Sequence, residues 1–208
     1  VRVLVTAGPT REPLDAVRFL TNASTGRMGM EVARAAADAG HEAVLVLGPT
    51  HLAPPEHARI RVIRVGTAVE MLDACLVEWP SCDALVATAA VSDFRFASPS
   101  AGKPEKPAGP VSVELVPNPD VLATLAAAKG ARRVVGFALQ VEDAERRARE
   151  KLVRKNCDLV VLDAPAAMGA DRSDFTLIPR DGPSQRMPGA SKSEVAARIV
   201  AALSAPQI

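Results

Sequence analysis

Residues 1–29 read VRVLVTAGPTREPLDAVRFLTNASTGRMG, and their interpretation decides the fold. Val1, Val3, Leu4 and Val5 form a short, β-branched apolar run, the pattern of a buried strand. From Arg27 an apolar spacing through Met28, Val32, Ala36 and Ala39 predicts a helix that stops at Gly40. Residues 43–47 repeat the buried-strand pattern, so strand, helix and strand make a right-handed βαβ unit. Between the first strand and the helix lie about twenty residues where a nucleotide-binding turn needs only a few, which predicts a binding loop rather than a connector. The loop ends in Asn22-Ala23-Ser24-Thr25-Gly26-Arg27-Met28-Gly29, small residues that put backbone N–H groups at a helix N-terminus. Unpaired donors and the helix dipole stabilise a phosphate or other oxyanion there. An N-cap followed by a packing glycine would leave the same residues, and both readings stay open at this point.

Outward from this unit the pattern continues as β-α-β. Residues 60–65 predict a third strand, Thr67 caps a helix through Met71, Leu72 and Leu76, and residues 83–88 predict a fourth strand. The expected fold is therefore α/β: a Rossmann-like, doubly wound, mostly parallel sheet with helices on both faces. Residues 92–109 break the pattern with Ser, Pro, Gly and Lys, and lead into an alternating run at 111–115 that predicts a strand. This excursion is either a disordered surface segment or a flap. Asn118-Pro119-Asp120 then opens a helix through Leu122 and Leu125, residues 133–139 and 158–162 predict the fifth and sixth strands, and a charged helix at 142–155 separates them. Residues 175–179 and 184–188 read as a terminal hairpin around Asp181-Gly182. Ser191 with Glu194 forms a capping box for a closing helix at 191–203. No repeat or linker divides the chain, so residues 1–208 are expected to form a single domain.

Composition excludes several function classes. The apolar fraction of 48% supports a sizeable core, and a net charge of +1 gives no basis for binding nucleic acid or an acidic membrane surface. No apolar run reaches spanning length and no signal-peptide pattern opens the chain. Cys75, Cys82 and Cys157 are odd in number and widely spaced, which gives no metal motif or disulfide framework and fits a reducing cytosol; two of the three sit in or beside apolar runs, which predicts buried, inert thiols there. His41, His51 and His57 lack metal-ligand spacing.

A dinucleotide oxidoreductase is the first function such a fold suggests, and the residues resist it. No G-x-G-x-x-G follows the first strand, and the second strand ends Leu47-Gly48-Pro49 without the acid that would hold an adenosine ribose. With no tyrosine in the chain, the Tyr–Lys pair of short-chain reductases is also missing. A non-catalytic nucleotide-binding module is the other alternative. What the chain offers is polar groups at strand ends, where open α/β sheets bind ligands: Asn22 and Gly26 after the first, Ala89, Ala90 and Asp93 after the fourth, residues 137–140 at the fifth. Asp93 at such a rim is either a Mg²⁺-holding carboxylate or a solvated turn residue. Lys103, Lys106, Lys151 and Lys155 supply positive charge for a polyphosphate, with the last two on one helix face.

Six stretches, in order, then carry a resemblance. GPTREPLDAVRFLTNASTGRMG, AAVSDF from Ala89, Lys103-Pro-Glu-Lys106, PNPDVL from Pro117, VGFALQ from Val135 and KNCDLVV from Lys155 together resemble phosphopantothenoylcysteine synthetase, the phosphopantothenate–cysteine ligase of coenzyme A biosynthesis. The resemblance spans essentially the whole chain. It implies activation of the 4′-phosphopantothenate carboxylate as an acyl-nucleotidylate with release of pyrophosphate, then attack by the cysteine amine. It further implies that Asn22 orients the acyl-nucleotidylate carbonyl and, with Ser24, Thr25 and Gly26, lines the phosphopantothenate site. Lys103 would stabilise the activation transition state, and Asp93 would hold Mg²⁺ (or Mn²⁺) and nucleotide. Ala87, Thr88, Ala89, Pro119, Asp120, Val121, Leu122, Phe137, Lys151 and Lys155 match nucleotide-contacting positions. CTP is implied over ATP, as is a homodimer whose flap, here about residues 97–113, reaches the partner's site. Fusion behind a flavin-dependent decarboxylase is common among such proteins and would explain a chain that begins inside a strand without methionine. Glu105 and Gln140 depart from the pattern, which has a lysine at the first position and often an acid at the second.

Overall fold

Strands β1 (Arg2–Ala7), β4 (Glu42–Leu47), β5 (Ile60–Arg64), β6 (Ala84–Ala87), β9 (Arg133–Leu139) and β10 (Leu159–Asp163) run parallel in one sheet. In the computed structural model, which describes residues 1–106, 108–140, 142–163 and 170–204, the sheet has eight strands in the order β12-β11-β10-β9-β6-β1-β4-β5. The last two, β11 (Arg172–Pro179) and β12 (Gln185–Ser191), are the expected hairpin, added antiparallel to β10. The central strands are apolar at nearly every position because both sheet faces are covered. Val3, Val5, Ala7 and Val86 point into one core with helices α1 (Arg27–Asp38) and α5 (Lys192–Ser204). Leu4 and Leu85 point into the other, with α2 (Ala68–Glu78), α3 (Val121–Ala127) and α4 (Ala144–Arg154). The doubly wound reading is therefore correct, and all three cysteines are buried in it. Burial pushes the Cys75 thiol up to about 12 and the Cys157 thiol to about 11, which keeps both protonated and inert.

The helix ends follow the local chemistry. Thr67 caps α2 by accepting from the Glu70 N–H at 3.2 Å. The Ser191–Glu194 box closes reciprocally, with Glu194 accepting from the Ser191 N–H at 2.6 Å and Ser191 Oγ from the Glu194 N–H at 3.2 Å.

Two segments depart from expectation. The long first loop contains a small hairpin, β2 (Arg11–Pro13) with β3 (Phe19–Thr21), that sequence periodicity did not predict. Asp15 folds its tip by accepting from the N–H groups of Val17 and Arg18 at 2.9 and 2.8 Å. Glu12, buried within the hairpin's base, accepts from the Ala68 N–H at 3.0 Å and so fastens the loop to the start of α2. The strand expected at 111–115 is a correction: the strand is β8 (Leu115–Pro117), paired antiparallel with β7 (Phe94–Phe96). Its partner is three residues long, so the ladder closes at Leu115 and one further bond, Ala97 N–H to the Glu114 carbonyl at 3.0 Å. Val111 and Val113 are left exposed in the segment between the strands, whose residue 107 lies outside the described residues. No helix among the described residues is long and apolar enough to cross a membrane.

Candidate active site

The sheet order turns at β1 and β6: α1 carries the chain from β1 to one side, and β6 lies on the other. Their carboxyl ends open a crevice of the kind that binds ligands in such sheets. A cleft of about 710 Å³ sits there, bounded by the start of α1, the segments after β6 and β9, the start of α3 and one face of α4.

Gly26 starts α1 in the left-handed region, φ 78°, and has no side chain with which to cap the helix. A glycine suits that φ at no steric cost. Gly26 through the first turn lines the cleft; Ser24 Oγ accepts from the Gly26 N–H at 3.3 Å and Thr25 Oγ1 from the Arg27 N–H at 3.4 Å, so the N–H groups of Met28 and Gly29 are the ones left to meet an anion. Gly29 explains how the helix comes so close. A Cβ there would stand 2.4 Å from Ala7 Cβ and 2.5 Å from Thr88 Oγ1. Both open readings of this loop end therefore hold together: Gly29 is a packing glycine, and the helix start faces a cleft.

The opposite wall is assembled by hydrogen bonds between distant segments. Thr88 Oγ1 donates to the Thr6 carbonyl at 2.7 Å, and the Ser92 N–H donates to Thr10 Oγ1 at 3.0 Å. Asn118 ties down the Asp93 segment, its N–H donating to the Asp93 carbonyl at 2.8 Å and Nδ2 to the Ser92 carbonyl at 2.9 Å. Asp120 caps α3 by accepting from the Ala123 N–H at 2.9 Å and also meets Lys155. Burial alone would raise the Asp120 carboxyl, but Lys155 and the Ala123 N–H outweigh it and hold the group below its ordinary value. Lys151 is largely buried, which pulls its pKa down, and its ammonium donates to the Phe137 carbonyl at 2.5 Å.

Of the residues expected from sequence, Ser24, Thr25, Gly26, Ala87, Thr88, Ala89, Asp93, Pro119, Asp120, Val121, Leu122, Phe137, Lys151 and Lys155 all line this cleft. Asn22 stands beside it, with Nδ2 donating to the carbonyl of the cleft-lining Ala90 at 3.0 Å. Lys103 does not line it; it is exposed in the segment between β7 and β8. Sequence reasoning missed Arg27, Arg147, Arg154, Asp163 and Lys192, which also line the cleft. Arg147 and Arg154 carried a signal, since they share the helical spacing of Lys151. Lys192 carried none: it is nearly buried at the start of α5, donating to the Ala170 carbonyl at 2.6 Å, and only the sheet order brings it beside α1. Burial, with the Arg27 charge nearby, lowers its pKa.

The donor set near Asp93 suits a hard divalent ion. Asp93 is exposed, and in the residue before it Ser92 Oγ is buried without a hydrogen-bond partner among the described residues. Among the described residues no group of three or more His, Cys, Asp or Glu could hold a metal. One carboxylate plus substrate phosphates is the ordinary arrangement for Mg²⁺.

The family model for the DNA/pantothenate metabolism flavoprotein C-terminal domain matches residues 1–206. The chain is 41% identical over 217 residues to the coenzyme A biosynthesis bifunctional protein CoaBC of Mycobacterium tuberculosis, covering 97% of this chain and 51% of that protein. It is 40% identical over 204 residues to a protein from an unidentified prokaryote named cysteine/cysteine sulfinic acid decarboxylase, covering 96% of this chain and 56% of that one. The crystal structure of the C-terminal domain of CoaBC superposes with a TM-score of 0.83 at 34% identity, covering 97% of this chain and 92% of that one. The chain thus spans about half the length of the curated relatives it matches.

Proposed function

The chain belongs to the family of the DNA/pantothenate metabolism flavoprotein C-terminal domain, and on that premise we propose that it is a phosphopantothenate–cysteine ligase of coenzyme A biosynthesis, a single synthetase domain acting in the cytoplasm. The observation that carries the reading is convergence. Segments as far apart in sequence as Ser24, Asp93, Asp120, Phe137 and Lys155 line one cleft at the turn of the sheet order.

In the first step an oxygen of the 4′-phosphopantothenate carboxylate forms a bond to the α-phosphorus of CTP as the α–β phosphoanhydride bond breaks, releasing pyrophosphate. The start of α1 and the basic face of α4 supply fixed positive potential for the phosphates, so the chemistry proceeds by positioning and charge stabilisation without a covalent enzyme intermediate. Asp93, with Ser92 beside it, would hold Mg²⁺, which neutralises charge on the phosphate oxygens when bound. In the second step the cysteine amine attacks the acyl carbon, the nucleoside monophosphate leaves, and the amine gives up its proton. Asn22 spends one N–H on the Ala90 carbonyl, which orients its amide; its second N–H serves the acyl carbonyl.

Lys103 lies outside the cleft of its own chain, and the reading assigns it to the cleft of a second copy. Exposed Phe19 and Leu20 on the β2–β3 hairpin, Phe94 and Leu115 on the β7–β8 pair, and Val111 and Val113 on the flap supply apolar surface for such a homodimer. A flavin-dependent decarboxylase partner, fused or associated, belongs to the same proposal.

The test is pyrophosphate release with Mg²⁺ and 4′-phosphopantothenate, with CTP and ATP in parallel, with and without cysteine. Release that requires 4′-phosphopantothenate and runs faster with CTP is the expected result. Release independent of 4′-phosphopantothenate, or none with either nucleotide from a dimeric sample, would overturn the reading.

A further inference from the structure

Helix α4 carries two sets of cations in different company. Arg146 and Arg149 do not line the main cleft and are paired with acids of their own helix. Arg146 lies 2.8 Å from Asp143 and 2.6 Å from Glu150; Arg149 lies 3.3 Å from Glu145. Arg147, Lys151, Arg154 and Lys155 form the second set. All four line the cleft, and their spacing places them in one stripe.

In that stripe carboxylates are scarce. Among the described residues, Arg147 and Arg154 are paired with none. Among the described residues the Arg147 side chain reaches only the neutral amide oxygen of Gln140, at 3.5 Å. Lys151 rests on a backbone carbonyl, and Lys155 alone meets an acid, Asp120. Glu150 also lines the cleft, but its carboxylate is engaged by Arg146. Like charges at i, i+4 repel. A helix that pairs Arg146 and Arg149 with acids and leaves the cleft-lining Arg147 and Arg154 without one has concentrated charge where a polyanion would relieve it.

We propose that Arg147 and Arg154 extend the Lys151–Lys155 pair into a wall that binds the polyphosphate chain of the nucleotide, and that neutral Gln140 keeps the Arg147 charge available for it. The inference rests on the nucleotide-dependent reading of the cleft and concerns two arginines that reading does not require. Guanidinium groups suit it, because their planar forks donate to two phosphate oxygens at once. The anion could instead be the phosphate monoester of the other substrate. Number favours the polyphosphate: even with Lys155 paired to Asp120, the three cations Arg147, Lys151 and Arg154 exceed what one monoester dianion needs.

Calorimetric titration of the full chain with inorganic tripolyphosphate, a nucleoside monophosphate and 4′-phosphopantothenate separates these sources without any turnover. Wild type is expected to bind tripolyphosphate. Arg147→Gln and Arg154→Gln should each weaken it about tenfold, the usual scale for one charge-assisted contact, and the double variant by roughly the product. Monophosphate affinity should stay within about twofold, Arg146→Gln should match wild type, and Gln140→Glu should imitate Arg147→Gln by pairing with the guanidinium. Unchanged melting temperatures confirm that the exposed variants fold. A wild type that ignores tripolyphosphate would overturn the proposal, as would a double variant that binds it within twofold of wild type. Equal losses for tripolyphosphate and 4′-phosphopantothenate would assign the stripe to phosphate in general and overturn it as well. If pyrophosphate release fails while the tripolyphosphate losses hold, the ligase reading falls and the polyphosphate wall stands.

Discussion

Replacing Gly29 by alanine sets two forces against each other, and the structure says which wins. Gly29 sits in the first turn of α1, and alanine there gains about 1 kcal/mol of helix propensity. The new methyl would stand 2.4 Å from Ala7 Cβ, 2.5 Å from Thr88 Oγ1 and 3.2 Å from Ala7 Cα. Carbon atoms in contact prefer about 3.5–4.0 Å, so the helix start must retreat by about 1 Å. Ala7 cannot move aside, because its methyl has no rotamer and its backbone lies in a central strand paired with β4. Thr88 can rotate only by giving up its 2.7 Å hydrogen bond to the Thr6 carbonyl. Overpacking of this kind costs about 1–3 kcal/mol, and the lost hydrogen bond roughly 1 kcal/mol more. The net expectation is a loss of about 1–3 kcal/mol, which for a chain of this size lowers the melting temperature by roughly 3–10 °C. Differential scanning calorimetry of Gly29→Ala, with Gly102→Ala as the control whose new methyl meets nothing within 4 Å, measures it. A melting temperature at or above wild type would refute the close approach of α1 to the sheet, and with it the account of how the helix start reaches the cleft.

Three further predictions concern separate parts of the molecule. Asn22→Asp should still form the acyl-nucleotidylate, seen as pyrophosphate release in a single turnover, yet transfer it to cysteine at least about a hundredfold more slowly; normal turnover would remove Asn22 from the second step. Lys103→Gln should suppress pyrophosphate release by about 10²–10³-fold with nucleotide affinity little changed, and mixing it with Asn22→Asp should restore part of the activity if the flap serves the partner's cleft. Asp15 accepts from the side chain and N–H of Arg18 and the N–H of Val17, which hold its carboxyl at about 2 against an unfolded value of about 3.9. That stabilisation is complete above about pH 4 and is lost as pH falls toward about 2. Asp15→Asn should therefore unfold at lower urea than wild type at pH 6, with the gap narrowing toward pH 3; a gap independent of pH would assign the effect to packing.

Sequence periodicity reported the sheet well because its strands are covered on both faces, so residues 43–47 or 133–139 must be apolar whatever their neighbours. It failed where pairing depends on tertiary contacts. The β2–β3 hairpin has one strand ending in proline and another that is exposed throughout, so neither shows alternation. Contacts made with Ala68 and by Asp15 fold it. Residues 111–115 show the opposite error: Val-Ser-Val-Glu-Leu alternates perfectly, but a strand also needs a partner, and β7 ends three residues after it starts.

The cleft divides in the same way. Motif residues were legible one by one, since small residues at a helix start or an Asp after a buried strand each carry a local chemical reason. Their meeting was not, because it depends on strand order. With β6 beside β1 and β9 beside β6, Thr6, Ala87 and Gly136 fall in adjacent register, and the segments that follow them share one rim. The returning hairpin then puts the start of α5 beside the start of α1, which is why nearly buried Lys192 faces the same cleft as Gly26 although more than 160 residues separate them. Charge added by neighbours in space, as Lys192 adds it here, leaves no spacing in the chain to read. Charge added along one helix does, and Arg147 and Arg154 were in view from the moment Lys151 and Lys155 were placed on a single face. What hid them was the usual fate of helix arginines, and the contrast that separates them from Arg146 and Arg149 is a difference of partners that only the folded chain displays.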